Sequence, residues 1–254
     1  VGSNVRGAGG SFGRRAAPKS DYIAEAVMVA KAMKGRAPIK LIWTREDDMQ
    51  AGFYRPMSHH VLEGALDGDG RLIAWRHRAA VPSIFEGTPF AGMMQNGLDP
   101  SAVEGSSSLP YAIPNLRVDW HPVQAGVPVL WWRSVGHSQN GFVAEAFFDE
   151  LAAAAGSDPV AWRRDLLADH PRHRAVLDLA AEKAGWGEDL GQGRGRGIAV
   201  HESFGTVVAE VVDVTVRESG GFSVDRVVCA VDCGIAVNPD VVRAQMEGGM
   251  GFGL

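Results

Sequence analysis

Gly7-Ala8-Gly9-Gly10-Ser11-Phe12-Gly13-Arg14-Arg15 lies near the start of the chain, and Val129-Leu130-Trp131-Trp132-Arg133-Ser134-Val135-Gly136-His137-Ser138-Gln139-Asn140-Gly141 lies far along it; the remaining sequence is read outward from these two stretches. Glycines strip side chains from a turn, so that backbone N–H groups can come close to an oxyanion or a metal-oxo group. Gly10, Phe12 and Gly13 are therefore candidates for backbone contacts to such a group. Other loop chemistries do not fit. Counting G-x-G-x-x-G from Gly7 and Gly9 puts Phe12 where the last glycine belongs, and the Lys-Ser/Thr that ends a P-loop is missing. Gly136-His137-Ser138-Gln139-Asn140 misses the G-x-S-x-G nucleophile elbow by one position. A serine hydrolase using Ser138 is thus a remote alternative to the ordinary reading of a turn serine. No H-E-x-x-H occurs, and His59 and His60, adjacent on a strand, point to opposite faces, which suits a shared metal poorly.

Ile23, Ala26, Val27, Ala30 and Met33 recur at three- and four-residue steps, which predicts a helix over Asp21–Lys34, stopped by Gly35 and carrying an apolar face for a sheet. Ile39–Trp43 reads as a buried strand. His60–Leu66 and Leu72–Val81 flank Asp67-Gly68-Asp69-Gly70 and predict a hairpin. Residues 82–128 are rich in Pro, Gly and Ser and read as a long irregular excursion, a lid or interface loop, with a strand over Val118–Pro122. Asn140 reads as the cap of a helix through Ala155 with Val143, Phe147 and Leu151 on one face. Asp158-Pro159 starts a second helix with Trp162 and Leu166 inward. A third spans His173–Ala184 with Val176, Leu179 and Ala180 inward. Gly185–Gly197, with six glycines in thirteen residues, is taken as the boundary between a domain over 1–190 and part of a second over 191–254. Past it, the alternation around Val208–Val216, the Gly220-Gly221 turn and Phe222–Val231 predict a hairpin. Asn238-Pro239 restarts a helix toward Glu247. The fold class expected is α+β.

These pieces, in this order, resemble the molybdopterin-binding large subunits of the xanthine dehydrogenase and aldehyde oxidase family, with the beta subunits of the isoquinoline 1-oxidoreductase branch as the nearest likeness. The two loops carry the resemblance, together with Pro38–Met49, the turn at Asp67–Gly70, Asp232-Cys233-Gly234, Asn238-Pro239 and Gln245-Met246-Glu247-Gly248-Gly249. It implies a xanthine dehydrogenase-type molybdopterin-binding domain followed by part of a second. It implies a parent enzyme that hydroxylates an N-heteroaromatic or an aldehyde with water-derived oxygen. The cofactor implied is molybdopterin, in the cytosine dinucleotide form by likeness to bacterial members, and the molybdenum is held through the pterin. By the same resemblance Gly10, Phe12 and Gly13 contact the cofactor, Arg133 lies beside the molybdenum, Gln139 touches the cofactor and Val135 faces the substrate. Xanthine oxidases carry phenylalanine at the position of Val135, so purine is not assigned. Gln245, whose amide both donates and accepts, matches a contact to the pterin edge. The pattern also departs from the family. Its Gly-Glu-Pro, which holds the general-base glutamate, does not occur, and Glu202, Glu210 and Glu247 lack that motif's neighbours. The general base is expected outside this chain, which is expected to be inactive by itself. A reading from another class is a cofactor-free scaffold or degenerate paralogue.

The 254 residues are 46% hydrophobic and 22% charged, ordinary for a globular protein, and 25 basic against 30 acidic side chains leave a net charge of −5. That balance argues against nucleic acid as the main partner. No run approaches the ~20 apolar residues of a membrane span, and no signal peptide opens the sequence. Neither end reads as a natural terminus, so a piece of a longer subunit is expected, and the compartment stays open between cytoplasm and periplasm. Cys229 and Cys233 are the only cysteines and read as buried free thiols. Two thiols cannot ligate a cluster, so iron–sulfur centres are expected only on a small partner subunit.

Overall fold

A computed structural model describes residues 10–124 and 126–254; Gly7, Ala8 and Gly9 of the first loop lie outside the described residues. The chain divides into two compact units. One comprises Val1–Val61, His77–Ser107 and Val118–Asn140, and the other Leu62–Arg76, Ser108–Arg117 and Gly141–Leu254. Helices mix with two three-stranded sheets. Strands β1 (His59–Leu66), β2 (Leu72–Val81) and β3 (Leu116–Pro122) form one in that order. The predicted hairpin is β1–β2: Asp67 accepts from the backbone N–H groups of Asp69 and Arg71 at 2.9 Å each, and Gly70 takes the positive φ of 78° that the turn demands.

In the first unit, α1 (Asp21–Ala32) forms as expected, but its apolar face is uncovered. Ile23, Val27 and Met33 are exposed, and no residue of the helix is fully buried. Ile39–Trp43 is not a strand either. A strand needs a neighbour's ladder to satisfy its backbone, none of the described strands pairs with it, and Leu41 and Ile42 are exposed. Trp43 is instead fixed by its indole N–H, which donates to Glu25 at 2.7 Å. Helix α2 (Arg45–Ala51) follows from a capping box in which Thr44 and Asp47 satisfy each other's backbone N–H. The excursion after β2 is more ordered than its composition suggests, because Asp99 is fully buried and organises it. One carboxylate oxygen accepts from the Ser83 hydroxyl at 2.6 Å and the Ile84 N–H at 3.0 Å; the other accepts from Ser101 N at 2.9 Å, capping the short helix α3 (Pro100–Val103). A small apolar core of Ala79, Val81 and Ala102 lies alongside, with Trp120 donating to the Val81 carbonyl at 3.0 Å.

The second unit has the larger core. Helix α4 (His137–Ala154) sends Ala144, Phe148, Leu151 and Ala152 inward, one step round from the predicted Val143–Phe147 stripe. Trp75 stacks on Phe148 at 4.8 Å, and Tyr111 meets the same ring at 3.9 Å. Asp158 caps α5 (Pro159–Leu166), as expected, by accepting from Val160 and Ala161 N–H. Helix α6 (Pro171–Ala184) buries Val176, Leu177, Ala180, Ala181 and Ala184. Leu179, expected inside, is 46% exposed because that three- and four-step stripe leaves it on the far side of the helix. Strands β4 (Arg194–Ser203), β5 (Thr206–Val216) and β6 (Phe222–Asp232) form the second sheet, and Val207, Ala209 and Val211 join α6 in one core. The glycine-rich stretch 185–197 lies inside this unit, with β4 already begun at Arg194. Cys229 and Cys233 are free and half-buried.

Glu145 ties four segments of this unit together. It accepts from the Tyr111 hydroxyl at 2.7 Å, from Arg163 Nε at 3.0 Å and from the Val200 N–H at 3.0 Å; Arg163, fully buried, reaches Asp149 at 2.6 Å as well. Removing one partner of such a pair strands a buried charge, at a cost of about 3–5 kcal/mol. We expect Arg163→Met, which strands the Glu145 carboxylate, to destabilise by that amount in urea unfolding, and Glu145→Gln, which leaves Arg163 paired with Asp149, by clearly less. Equal losses would show that Asp149 does not compensate the Arg163 charge.

His60 Nδ1 and His77 Nε2 lie 2.8 Å apart in the first unit, so one ring donates and the other accepts. Burial, with the His60 ring beside it, pushes His77 from its usual 6.5 down to about 4. Between those values the unfolded chain binds more protons than the folded one, so stability is full above about pH 6.5 and falls as pH drops toward 4. Thermal melts from pH 7 to 4.5 are expected to decline less steeply for His77→Phe than for the unaltered protein; parallel declines would clear the pair.

Candidate functional site

The first loop is built from left-handed backbone: Gly10 at φ 110°, Phe12 at 51° and Gly13 at 104°. Gly13 is glycine for a second reason. A Cβ there would lie 2.1 Å from the Trp131 carbonyl oxygen, so only a bare Cα lets the two loops touch. Beside this contact the Arg133 N–H donates to the Phe12 carbonyl at 3.0 Å. The loop exit is anchored by Arg14, whose guanidinium forks onto Asp21 at 2.7 Å twice and packs over the rings of Trp43 and Phe53 at 5.4 and 5.2 Å. That hydrogen bond holds the Asp21 carboxyl below its usual range.

The second loop enters through a parallel bridge, with Leu130 N–H donating to Tyr54 at 3.0 Å and Tyr54 N–H to Pro128 at 2.9 Å. Trp131 then packs between Phe85 and Phe90, at 5.4 and 5.0 Å. Ser134 and Val135 both take positive φ, 65° and 47°. Arg55 lies against them: Nη1 donates to the Ser138 hydroxyl at 2.7 Å and the Val135 carbonyl at 3.3 Å, and Nη2 to the Arg133 carbonyl at 3.1 Å. Gly136 presses on α3, where a Cβ would fall 2.0 Å from the Ser101 carbonyl, and its N–H donates to Glu104, just after that helix, at 3.3 Å. Burial pushes the Glu104 carboxyl up.

Asn140 is not the helix cap expected of it. Helix α4 already begins at His137, and Asn140 is buried inside it, donating to the carbonyls of Ala102 and Glu104 at 3.0 and 2.9 Å. The turn at Ser134 and Val135 starts the helix earlier than side-chain capping rules foresee. Nor is Ser138 placed as a hydrolase nucleophile. Its hydroxyl is engaged by Arg55, by Ser134 at 2.5 Å and by the Arg133 carbonyl at 3.2 Å, none of which is a base.

A crevice opens among Pro82, Ile84, Leu130, Trp132, Val135 and Gln139, with Arg55 in its wall. The amide oxygen of Gln139 is buried and has no hydrogen-bond partner. An orphaned buried polar atom costs about 1–3 kcal/mol, and here it leaves hydrogen-bonding capacity beside a crevice. The donor set fits a cofactor rich in oxygens and amide-like edges: a glycine turn, an arginine and an uncommitted amide. Of the residues singled out in the sequence, Gly10, Phe12, Gly13, Arg133, Val135 and Gln139 all fall in the first unit, the Phe12–Arg133 bond joins the two loops, and Val135 and Gln139 line one crevice. Gln245 belongs to the second unit, exposed on α7 (Pro239–Gly253), which Asn238 caps as expected. Arg14, Arg55 and Glu104 escaped sequence reading because no motif marks them; their partners are backbone or distant side chains.

The family model described as molybdopterin cofactor-binding domain matches residues 1–167, and a second model of the same description matches residues 144–254. The chain is 34% identical to the beta subunit of isoquinoline 1-oxidoreductase from Brevundimonas diminuta, over 97% of this chain and 32% of that one. It is 32% identical to a nicotinate dehydrogenase subunit of Pseudomonas putida, over 95% of this chain and 22% of that one. Among solved structures it is similar in fold to quinoline 2-oxidoreductase from Pseudomonas putida 86, with TM-score 0.56 and 19% identity over 80% of this chain and 27% of that one. The aldehyde oxidoreductase of Desulfovibrio gigas gives TM-score 0.53 at 22% identity, over 85% of this chain and 25% of that one. The chain spans 32% and 22% of the lengths of the two curated relatives.

Gly13→Ala drives a methyl group into the Trp131 carbonyl at a φ that side chains resist. We expect a loss of at least about 2 kcal/mol and faster amide exchange at Trp132 and Arg133. Gly10→Ala is also at a positive φ, but among the described residues its new methyl meets the Phe12 ring at 3.3 Å and no backbone atom, and it is expected to cost less. Exchange and melting curves that do not distinguish the two variants would dissociate the loops from one another.

Proposed function

Because this chain belongs to the molybdopterin cofactor-binding domain family, we propose that the crevice of its first unit receives the molybdenum end of that cofactor, in a parent enzyme that hydroxylates an N-heteroaromatic ring or an aldehyde. The observation that carries this reading is the joining of the two loops, Gly13 on Trp131 and Phe12 to Arg133, next to an uncommitted Gln139 amide. When bound, the cofactor supplies the redox chemistry by which water-derived oxygen enters an electron-poor carbon and two electrons leave. The chain binds, orients and excludes water. Backbone groups of Gly10, Phe12 and Gly13, the Arg133 guanidinium and the Gln139 amide would hold the metal end, and Gln245 would serve as a contact to the pterin edge. Val135, with Ile84, Trp132 and Pro82, gives the crevice apolar walls on the side that would face the substrate. Relatives named for isoquinoline, nicotinate, quinoline and aldehyde support that substrate range.

The general base is a glutamate from outside residues 1–254, since no Gly-Glu-Pro occurs. The cofactor form is the cytosine dinucleotide. Electrons pass to a separate iron–sulfur subunit, a reading supported by both curated relatives being named as subunits; within residues 1–254, Cys229 and Cys233 are too few to ligate a cluster. The unpartnered amide oxygen of Gln139, set beside the crevice, favours a bound group over a cofactor-free scaffold. Purified from its native cell, the full-length protein is expected to carry about one molybdenum per chain and to co-isolate with a cysteine-rich subunit showing iron–sulfur absorbance. Full-length protein free of molybdenum and pterin from a cell that makes the cofactor would favour the scaffold. Molybdenum-loaded protein that turns over with a soluble acceptor and no iron present would exclude the partner.

A further inference from the structure

We propose that Arg55 is a positioning residue for this site, a latch whose guanidinium holds the Arg133–Ser138 loop in a left-handed conformation that the loop does not keep by itself. The proposal rests on the reading that Arg133, Val135 and Gln139 serve the cofactor and substrate. Val135 is β-branched, and a φ of 47° is a genuine outlier for such a residue; Ser134 beside it is at 65°. Conformations of this kind persist only where the surroundings over-determine them. Arg55 meets that need from one side: its three acceptors, the Arg133 carbonyl, the Val135 carbonyl and the Ser138 hydroxyl, bracket both left-handed residues. Ser138 extends the grip to the Ser134 hydroxyl at 2.5 Å and back to the Arg133 carbonyl at 3.2 Å. From the other side Gly136 is held by Glu104 and by its fit against Ser101.

The chemistry of the latch is specific to arginine. Its three acceptors are uncharged oxygens set apart from one another, and a planar fork of donors reaches them together, whereas a lysine ammonium is a point charge that does not. Arg55 also stands in the crevice wall beside Val135 and Gln139, so the loop conformation it holds sets the direction of the side chain facing the crevice. Nothing in the local sequence Tyr54-Arg55-Pro56 requires this arrangement.

The test uses the full-length protein, with amide exchange across residues 133–138, global melting temperature and molybdenum per chain as separate readouts. Arg55→Met is expected to speed exchange in the loop by about tenfold or more while the melting temperature moves little, and to lower retained molybdenum severalfold. Arg55→Lys is expected to recover only part of either. Val135→Gly takes the left-handed φ without strain, so adding Arg55→Met to it is expected to change loop exchange by less than about threefold. The latch is wrong if Arg55→Met leaves loop exchange unchanged, if Val135→Gly does not blunt its effect, if Arg55→Lys restores both readouts fully, or if exchange rises only in step with global unfolding. If the unaltered protein carries no molybdenum while the variants still show the expected differences in loop exchange, the latch is supported and the cofactor reading overturned, so the two fail separately.

Discussion

A methyl group on Gly13 has nowhere to go, because the Trp131 carbonyl already occupies its place. Two stretches separated by most of the first unit are thereby brought backbone to backbone, and the site follows from that contact. Arg133 can donate to Phe12 only because the loops approach this closely, and Trp131 is held in register by Phe85 and Phe90 from a third segment. Glycine at this point is a packing requirement as much as a conformational one.

Around the contact, order comes from charged side chains that each satisfy several backbone groups. Arg14 anchors the exit of the first loop, Arg55 closes the second, and Asp99 gathers the N–H and hydroxyl groups of an irregular excursion. The apolar core of this unit is small, so precision is obtained through hydrogen bonds, whose geometry is directional where hydrophobic packing is not. The second unit follows another rule. Aromatic stacking around Phe148 and the aliphatic layer between α6 and its sheet supply the burial, and the Glu145–Arg163 pair fixes which segments meet.

Much of the architecture was legible in the residues. The β1–β2 hairpin was announced by Asp67-Gly68-Asp69-Gly70, α5 by Asp158-Pro159 and α7 by Asn238-Pro239, because turns and caps are local chemistry. The two loops of the site were recognisable by their own residues, and Val135 and Gln139 do line one crevice. Ile39–Trp43 misled because an apolar run specifies a strand only if a neighbour pairs with it. Leu179 misled because two adjacent phases of a helical repeat cannot be told apart without the surface they meet, and Asn140 because its backbone environment was set by Ser134 and Val135.

The sequence by itself determined the family, the mixed α+β class, most helices and turns and the identity of the loops, since each depends on residues close together in the chain. Only the tertiary structure decided why Gly13 must be glycine, that Arg55 holds the Arg133–Ser138 turn, and that Asp99 and Glu145 are hubs and not surface acids. Those roles are created by partners tens of residues away. A side chain whose neighbours are distant backbone carbonyls and amides leaves no periodicity or motif to be read.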